Sequence, residues 1–334
     1  MKKNKFYMKK RFCYKLINIF LFSTVLILTL ACGGGGGGGG SAEIASKWIP
    51  QDAINNNRVY YVIDRAADKD PTDDDGKSWD KAYGKGQLQA AIDAAASAVA
   101  DGNQYYVAIQ QGTYVPDTTA SRSFSMKNKV TIIGGFLGTE TNGIPIGGET
   151  ILSGDLNGDD IYNTDGIATY NSTNSYHVFS HSSSANLNET AVLKNVTISG
   201  GNAIGTFDDG LGGGMLNIDS SPTLESCKFE YNFANFGGGM HNYKSSPSLT
   251  NCIFECNNAS MGAGIYNASG SSPSLAGCDF SGNSTSGLGG GIYIQSGTIT
   301  WYLPVSTFSG NTATNNAATN DISPAGYTIT YTTP

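Results

Sequence analysis

Positively charged residues are scarce along most of this sequence. Its 334 residues include 20 Lys and Arg against 27 Asp and Glu, and seven of the basic residues lie within the first 15 positions, before any acidic residue. Beyond that segment, 13 basic residues stand against 27 acidic ones, which gives a net charge of about −14. Binding to a nucleic-acid backbone depends on clusters of Lys and Arg, so this composition argues against nucleic-acid binding and favours an acidic, exposed surface.

Zinc-type motifs are also absent. The six cysteines and three histidines form no Cys-x-x-Cys pair and no Cys/His spacing of a zinc site. Cys227, Cys252 and Cys278 instead recur at near-regular intervals. Parallel side chains that stack in register point the same way, which is unfavourable for a disulfide. We therefore predict three buried free thiols that pack as small apolar residues, with Cys256 outside that series.

One long apolar run is present, near the start of the chain. It extends from Leu16 to Ala31, follows the basic segment and stops at Cys32. A basic segment, a short apolar run and a small residue before the cut are typical of a secretory signal peptide. The tetrapeptide Thr29-Leu30-Ala31-Cys32 resembles the end of a bacterial lipoprotein signal, which implies that Cys32 is lipidated and begins the mature chain. The alternative is an uncleaved single-pass anchor, although the run is short for spanning a bilayer.

A glycine tract follows this segment. Gly33 to Gly40 are eight consecutive glycines, a composition typical of a flexible tether. The sequence thus divides into a lipoprotein signal peptide at 1–31, a lipidated cysteine with a Gly-rich tether at 32–56, and one folded domain at 57–334.

The second half of the chain is repetitive. The segment GGGMLNIDSSPTLESCKFEYN begins at Gly212, GGGMHNYKSSPSLTNCIFECN at Gly237 and GAGIYNASGSSPSLAGCDFSGN at Gly262, and a fourth copy opens at Gly289. The intervals between these copies are 25, 25 and 27 residues. Such a period indicates a solenoid, in which each unit buries its apolar face by stacking on its neighbours.

The residue types within each copy favour strands over helices. Met215 and Asn217 are two residues apart, as are their counterparts in the next two copies. A period of two is expected of a strand with one buried face. The glycine runs allow tight corners, and the Ser-Ser-Pro triplets suit turns that lead into strands. A closed coil of about 25 residues, whose strands pair one turn away at ~4.8 Å, is a parallel β-helix.

Asparagine also recurs once per copy. A corner asparagine in such a coil can bond backbone groups of its own coil and the amide of the next asparagine. We therefore predict a buried structural ladder formed by Asn232, Asn257, Asn283 and Asn311.

Two short patterns carry a family resemblance. The pattern FxxN occurs four times, ending at the four asparagines just named, and a GGG or GAG triplet opens each copy. These resemble the FxxN and GGA(I/L/M) repeats of polymorphic outer-membrane proteins, over about residues 191–311. That family lies in the pectin-lyase-like superfamily, so the resemblance implies an all-β, single-stranded right-handed parallel β-helix at a bacterial surface. It implies fold and location more than activity, since this fold carries lyases, hydrolases and adhesins.

Both ends of the predicted β-helix have segments suited to caps. The segment GQLQAAIDAAASAVADG from Gly86 has apolar residues at helical spacing and predicts an N-terminal capping helix, because an open end exposes the core and strand edges. We place the N-terminal cap at about residues 57–104 and the C-terminal cap at about 312–334. The residues between Tyr105 and Thr330 then give roughly nine coils.

The segment SGDLNGDDIYNTD is a candidate metal site. Asp155, Asn157 and Asp159 alternate as in the first half of a calcium loop, and oxygen ligands from alternate residues of a tight turn suit this hard cation. The residues that could complete the shell are Asp160, Asn163 and Asp165. The alternative is an acidic loop that holds no ion, and calcium is the one possible cofactor.

Catalytic residues are less evident. Lyases of the fold that the resemblance implies typically use an Arg or Lys base, whereas the repeats contain only Lys228 and Lys244. Hydrolases need two carboxylates at a defined separation, which Asp208-Asp209 could supply unless they form a solvated turn. We interpret His177 as structural and His241 as an outward-facing strand residue. We name no catalytic residue.

Taken together, these features predict a surface-exposed, monomeric bacterial lipoprotein, anchored by lipid at the outer membrane, that acts as an adhesin or binds a glycan or host matrix. Trp301 and Tyr302 are candidates for a sugar platform, or else parts of a variant last coil. The alternative functions are a polysaccharide-active enzyme, either a lyase or a glycoside hydrolase, and a structural spacer.

Overall fold

The computed structural model describes residues 48–65, 75–116, 122–162, 168–169, 173–314, 320–323 and 331–332. Within these ranges the chain is a parallel β-helix with short helices near its N-terminus, which confirms the predicted fold class. The predicted signal peptide at 1–31, the lipidation site Cys32 and most of the tether at 32–56 lie outside the described residues.

Four parallel sheets, numbered here from 1 to 4, form the sides of the coil. Sheet 1 consists of β1 (Val59–Val62), β2 (Tyr105–Gln110), β4 (Val130–Phe136), β9 (Val192–Lys194), β13 (Thr223–Glu225), β17 (Ser248–Thr250), β21 (Ser274–Ala276), β25 (Thr300–Tyr302) and β29 (Tyr331–Thr332). Sheet 2 consists of β3 (Gly112–Tyr114), β5 (Thr150–Ser153), β10 (Thr197–Ser199), β14 (Lys228–Glu230), β18 (Ile253–Glu255), β22 (Asp279–Ser281) and β26 (Thr307–Ser309).

The other two sheets are shorter. Sheet 3 consists of β11 (Asn202–Ala203), β15 (Phe233–Phe236), β19 (Asn258–Met261), β23 (Ser284–Thr285) and β27 (Thr312–Ala313). Sheet 4 consists of β8 (Phe179–His181), β12 (Met215–Ile218), β16 (Met240–Tyr243), β20 (Ile265–Ala268), β24 (Ile292–Ile294) and β28 (Ile322–Ser323). A separate antiparallel hairpin joins β6 (Ile161–Tyr162) to β7 (Ala168–Thr169).

One coil runs from β12 through β13 and β14 to β15, and β16 begins the next coil. Its corners lie at residues with left-handed backbone, namely Asp219, Ser226 and Tyr231, whose φ angles are 48°, 53° and 50°. In the third repeat two of these corners are Gly277 and Gly282, the residue type that adopts this conformation most readily. The corner between β13 and β14 accounts for the three-residue step between the leucine and the cysteine of each repeat.

In-register pairing stacks equivalent side chains inside the coil. The rings of Phe229, Phe254, Phe280 and Phe308 lie 4.7, 4.9 and 4.9 Å apart between neighbours, with interplanar angles of 4°, 3° and 9°. Each ring therefore covers the next, and the column forms one continuous apolar core.

The cysteine column lies in the same core. Cys227, Cys252 and Cys278 are buried and free, as expected for stacked thiols. Burial raises the pKa of the Cys252 thiol, so this group stays uncharged and packs as a small apolar residue.

The glycine triplets serve two purposes. Gly237 adopts φ of 72° and forms the corner that leads into β16. A Cβ at Gly239 would lie 2.6 Å from the Gly264 carbonyl oxygen and 2.8 Å from Cδ1 of Phe254. The third glycine therefore leaves room for the next coil and for the phenylalanine column.

The recurring asparagines lie at the corner between sheets 2 and 3, where they are buried. A representative rung is Asn257, whose Nδ2 donates to the Phe229 carbonyl oxygen at 2.9 Å and to Asn283 Oδ1 at 3.0 Å. Its Oδ1 accepts hydrogen bonds from the backbone N and from Nδ2 of Asn232 at 3.2 and 3.1 Å. The full ladder is Asn232, Asn257, Asn283 and Asn311.

A second buried polar ladder runs along sheet 4. Nδ1 of His181 is 2.8 Å from Asn217 Oδ1, and amide-to-amide bonds of 2.9 Å continue from Asn217 to Asn242 and from Asn242 to Asn267. The backbone N–H of Met126 donates to His181 Nε2 at 3.2 Å, so the proton of the neutral ring lies on Nδ1. Burial lowers the pKa of His181 to about 4, which keeps the imidazole uncharged.

Helices cover the N-terminal end. The helices are α1 (Gln51–Asn55) and α2 (Leu88–Ala98), and the 3-10 turns near them are Trp79–Lys81, Lys85–Gln87 and Val99–Asp101. A further 3-10 turn, Phe207–Gly210, lies between β11 and β12. Helix α2 buries Leu88, Ala91, Ile92 and Ala95 in the main core, as the predicted capping helix requires. None of the helices in the described ranges is long and apolar enough to cross a membrane.

The number of coils differs from the prediction. Sheet 2 has seven strands in the described ranges, so the β-helix has about seven turns rather than nine. The partner of Lys228 in the next turn is Ile253, but the partner of Ile151 is Thr197, because the coil that leads from β5 to β10 is much longer than a repeat. Dividing the chain length by the period of the later repeats therefore overestimated the count.

Candidate functional site

A polar groove runs along the outer face of sheet 1. Its floor is a row of outward side chains, Lys194, Glu225 and Thr250, which pair in register across β9, β13 and β17. A parallel row, Asn195, Ser226 and Asn251, lies at the adjacent corner. A shallow cleft of about 110 Å³ is lined by Trp48, Lys194, Asn195, Glu225, Ser226, Thr250 and Asn251. These seven residues, together with Tyr302, are called the sheet 1 groove below.

Aromatic residues mark both ends of this groove. Trp48 is half-buried and packs on an apolar cluster that α1 forms against the outer face of β2 and β4. At the other end, the row of Thr250 continues through Ala276 to Tyr302, which faces outward and is half-buried. The groove therefore combines a polar floor with one aromatic side chain at each end.

Trp301 corrects part of the sequence interpretation. It pairs with Leu275 on the inner side of sheet 1, is only 1% exposed and packs edge-on against Phe308. The tryptophan fills the last part of the core and cannot serve as a sugar platform. Its neighbour Tyr302 points the opposite way because side chains alternate along a strand.

The groove floor carries a charged pair. Nζ of Lys194 lies 3.0 Å from Oε2 of Glu225, and both side chains are partly shielded from solvent. The pair is close to electrically neutral, and its atoms can donate to and accept from hydroxyl groups.

A second charged cluster lies on the outer face of sheet 2. Nζ of Lys228 contacts Oε2 of Glu230 at 2.6 Å and Oε2 of Glu255 at 2.8 Å. Burial lowers the pKa of Lys228, but the two carboxylates outweigh it and the net pKa is raised. Burial raises the pKa of Glu230, with Lys228 opposing the shift and Glu149 adding to it. Lys228 and Glu230 belong to β14, and Glu255 is the partner of Glu230 on β18 in the next coil.

The histidines near the repeats are buried, whereas the acidic pair is exposed. His241 was predicted to face outward. It is only 3% exposed, because its ring stacks on Tyr266 of the next coil at 5.0 Å between centroids. Burial lowers its pKa to about 3. Nδ1 of His177 lies 3.0 Å from the Gly212 carbonyl oxygen, a structural contact. Asp208-Asp209 lie exposed on a 3-10 turn.

The loop after β5 gathers three of the acidic residues. One carboxylate oxygen from each of Asp155, Asp159 and Asp160 lies within 4.8 Å of the others. Asn157 lies on the exposed part of the same turn, and Asn163 and Asp165 are outside the described residues. The structure thus brings Asp155 and Asp159 together and adds Asp160 to them.

Comparisons with known proteins support the fold and go no further. Residues 183–332 match a family described as a right-handed β-helix region, which, with the parallel sheets, identifies the fold as a right-handed parallel β-helix. No curated protein matches the sequence. The crystal structure of Escherichia coli ybhc is similar at 13% identity and a TM-score of 0.40, over 75% of this chain and 64% of that one, and we draw no functional argument from it. The likeness to polymorphic outer-membrane protein repeats remains a resemblance of sequence.

Proposed function

We propose that this protein is a lipid-anchored, surface-displayed β-helix that binds a linear neutral glycan along the sheet 1 groove. The observation that carries the proposal is the pair of polar rows that crosses β9, β13 and β17 beside Trp48, with Tyr302 two coils further along sheet 1. The anchor rests on the lipoprotein-like signal before Cys32.

The regular spacing of residues along the groove suits a ligand that repeats at a regular spacing. Equivalent residues of neighbouring coils are separated by ~4.8 Å, the spacing of paired strands. A linear polysaccharide presents hydroxyl groups at regular intervals along its length, so successive coils can meet successive sugars. The side chains at these positions include Thr250 and Asn251, which can both donate and accept hydrogen bonds.

The aromatic residues at the two ends of the groove suit the apolar face of a sugar ring. A pyranose has an apolar face of C–H groups, and the rings of Trp and Tyr combine an apolar body with a polar tip. Both Trp48 and Tyr302 are half-buried, so their positions are held by packing while part of each ring stays open.

Charge distinguishes between classes of glycan. Beyond the basic N-terminal segment the chain carries a net charge of about −14, which repels an acidic polysaccharide. The lysine of the groove floor is already paired with Glu225. These features favour a neutral ligand over pectate-like or sulfated chains.

The alternative is a glycan-active enzyme that uses the sheet 2 cluster. The raised pKa of Glu230 is a property of general acids in glycoside hydrolases. Lys228, however, bonds both Glu230 and Glu255, an arrangement that holds the carboxylates rather than leaving them free for a substrate. We therefore favour binding without turnover.

One experiment separates the two functions. The purified mature chain is incubated with a panel of neutral and acidic polysaccharides, and both retention on the polysaccharide and release of new chain ends are measured. We expect retention on neutral chains with no release. Release that disappears in Glu230→Gln but persists in Trp48→Ala would contradict the proposal and identify a hydrolase.

A further inference from the structure

The loop between β4 and β5 carries a group of exposed apolar side chains. Leu137, Ile144 and Ile146 are 39%, 43% and 66% exposed. The backbone N–H groups of Leu137 and Ile146 both donate to Oε1 of Glu140, at 2.6 and 3.5 Å, so these two residues lie close together although they are nine positions apart. Residues 137–148, called the apolar loop below, therefore present a patch rather than scattered apolar residues.

The apolar loop exposes no charged side chain, although the protein is acidic. Its one ionisable residue, Glu140, is buried, and its Oε2 accepts the backbone N–H groups of Gly138 and Thr139 at 2.9 and 3.0 Å. The other exposed residues of the loop are Thr139, Thr141, Asn142 and Gly148, which are all uncharged. A surface without negative charge escapes the repulsion that acidic residues meet at anionic lipid headgroups.

Another exposed apolar side chain has the opposite surroundings. Phe207 is 92% exposed and lies on the 3-10 turn between sheets 3 and 4, where the exposed Asp208 and Asp209 follow it directly. Carboxylates next to the ring disfavour its burial in an apolar phase. Exposure therefore does not by itself mark a lipid contact, and the apolar loop is the better candidate of the two.

The apolar loop is held against the segment at which the described chain begins. The backbone N–H of Ile49 donates to the Gly143 carbonyl oxygen at 3.2 Å, and a Cβ at Gly143 would lie 2.6 Å from the Ile49 carbonyl oxygen. Nε1 of Trp79 donates to the Glu140 carbonyl oxygen at 2.9 Å. Trp48 directly precedes Ile49 and lies 16 residues after Cys32. A Gly-rich segment of this length is expected to span about 20 Å.

We propose that the apolar loop rests on the lipid surface in which the chain is anchored. This inference depends on the lipid anchor of the proposed function. A tether of this length keeps the loop near the bilayer at a high effective concentration, so a contact too weak to bind by itself becomes populated. The isoleucine side chains can then enter the boundary between headgroups and acyl chains.

The contact relates the sheet 1 groove to the membrane. The apolar loop leaves sheet 1 at β4, whereas Tyr302 lies on β25, five strands further along the same sheet. Paired strands are ~4.8 Å apart, so this separation is about 24 Å. The Trp48 end of the groove therefore lies beside the lipid contact, and the Tyr302 end lies well away from it.

The test holds the mature chain on vesicles through an N-terminal histidine tag and a chelating lipid, so its outcome does not depend on lipidation of Cys32. The vesicles contain phosphatidylethanolamine and phosphatidylglycerol, and amide hydrogen exchange is compared between the vesicle-bound and the free chain. Burial of one isoleucine is worth about a factor of ten in an equilibrium, so we expect exchange in the apolar loop to slow by about tenfold on vesicles. The turn that contains Phe207 should exchange equally fast in both states.

Variants assign the contact to this loop. Ile144→Ser with Ile146→Ser should abolish the slower exchange, whereas Ile144→Leu with Ile146→Leu should retain it. The matched control is Phe207→Ser, which removes an exposed apolar side chain from another corner and should behave like the wild type.

Three results would overturn the proposal. Exchange in the apolar loop could be unchanged on vesicles, or it could slow as much in the double serine variant as in the wild type. The free chain could instead show the same slowing as its concentration is raised, which would assign the patch to a second copy of the chain. Fatty-acid labelling of Cys32 reports on the anchor alone, so the anchor and the loop contact can fail separately.

Discussion

The substitution Asn257→Leu tests the asparagine ladder at its middle rung. Asn257 occupies a fully buried corner and connects three coils through its side-chain amide. Leucine has a similar size but neither donates nor accepts hydrogen bonds. The substitution therefore removes the bonds while changing the packed volume little.

The magnitude follows from the groups left behind. The backbone N–H of Asn232 loses Asn257 Oδ1, and the Phe229 carbonyl oxygen loses the Asn257 Nδ2 donor. Asn283 Oδ1 loses one donor but keeps the backbone N–H of Asn257. A buried donor without a partner costs about 1–3 kcal/mol and each of the two weakened bonds about 1 kcal/mol, so we expect the free energy of unfolding to fall by about 3–5 kcal/mol.

The assay is urea unfolding of the mature chain, followed by circular dichroism. The control is Asn258→Leu, the same substitution at the adjacent, half-exposed position, which we expect to change stability by less than about 0.5 kcal/mol. If Asn257→Leu unfolds at the same urea concentration as the wild type, the corner asparagine does not carry the stabilisation that we assign to it.

Two further predictions concern acid stability and the anchor. His181 has a folded-state pKa of about 4 against 6.5 when unfolded, so the unfolded chain binds its proton first and stability is lost as the pH falls from 6.5 towards 4, by roughly 3 kcal/mol from this residue. Unfolding measured across that range should show a shallower loss in His181→Gln, and an unchanged slope would contradict the assignment. Cys32→Ser should abolish fatty-acid labelling and release the protein from the membrane fraction, whereas Cys13→Ser, within the predicted signal peptide, should not. A wild-type protein that stays membrane-bound without taking up label would show that the anchor is of another kind.

The β-helix could be predicted from sequence because the repeats are nearly identical in length. Residues at equal positions in the copies, such as Phe229 and Phe254, fall opposite each other once the period is known, so the register follows directly. The coil count failed for the opposite reason, because the early coils contain long loops that the period of the later copies does not describe.

The second polar ladder, the sheet 1 groove and the acidic loop were harder to predict from the sequence. The second polar ladder begins at His181, which belongs to a coil with no repeat signature, so its link to Asn217 could not be inferred from spacing. The sheet 1 groove depends on Trp48, which the fold of the N-terminal segment brings against strands far away in sequence. In the same way, Asn174 joins the acidic loop through a turn that no periodic pattern marks.

Glycan binding in the sheet 1 groove is tested most directly by calorimetric titration of the mature wild-type chain and its groove variants with the neutral polysaccharide that it retains best. We expect Trp48→Ala and Tyr302→Ala each to weaken binding by about tenfold or more, since buried aromatic anchors carry much of the binding energy of an interface. The matched control is Tyr243→Ala, which removes an exposed tyrosine from sheet 4 and should bind like the wild type. Equal affinity of all four proteins, or no neutral polysaccharide bound by the wild type, would contradict the proposed function.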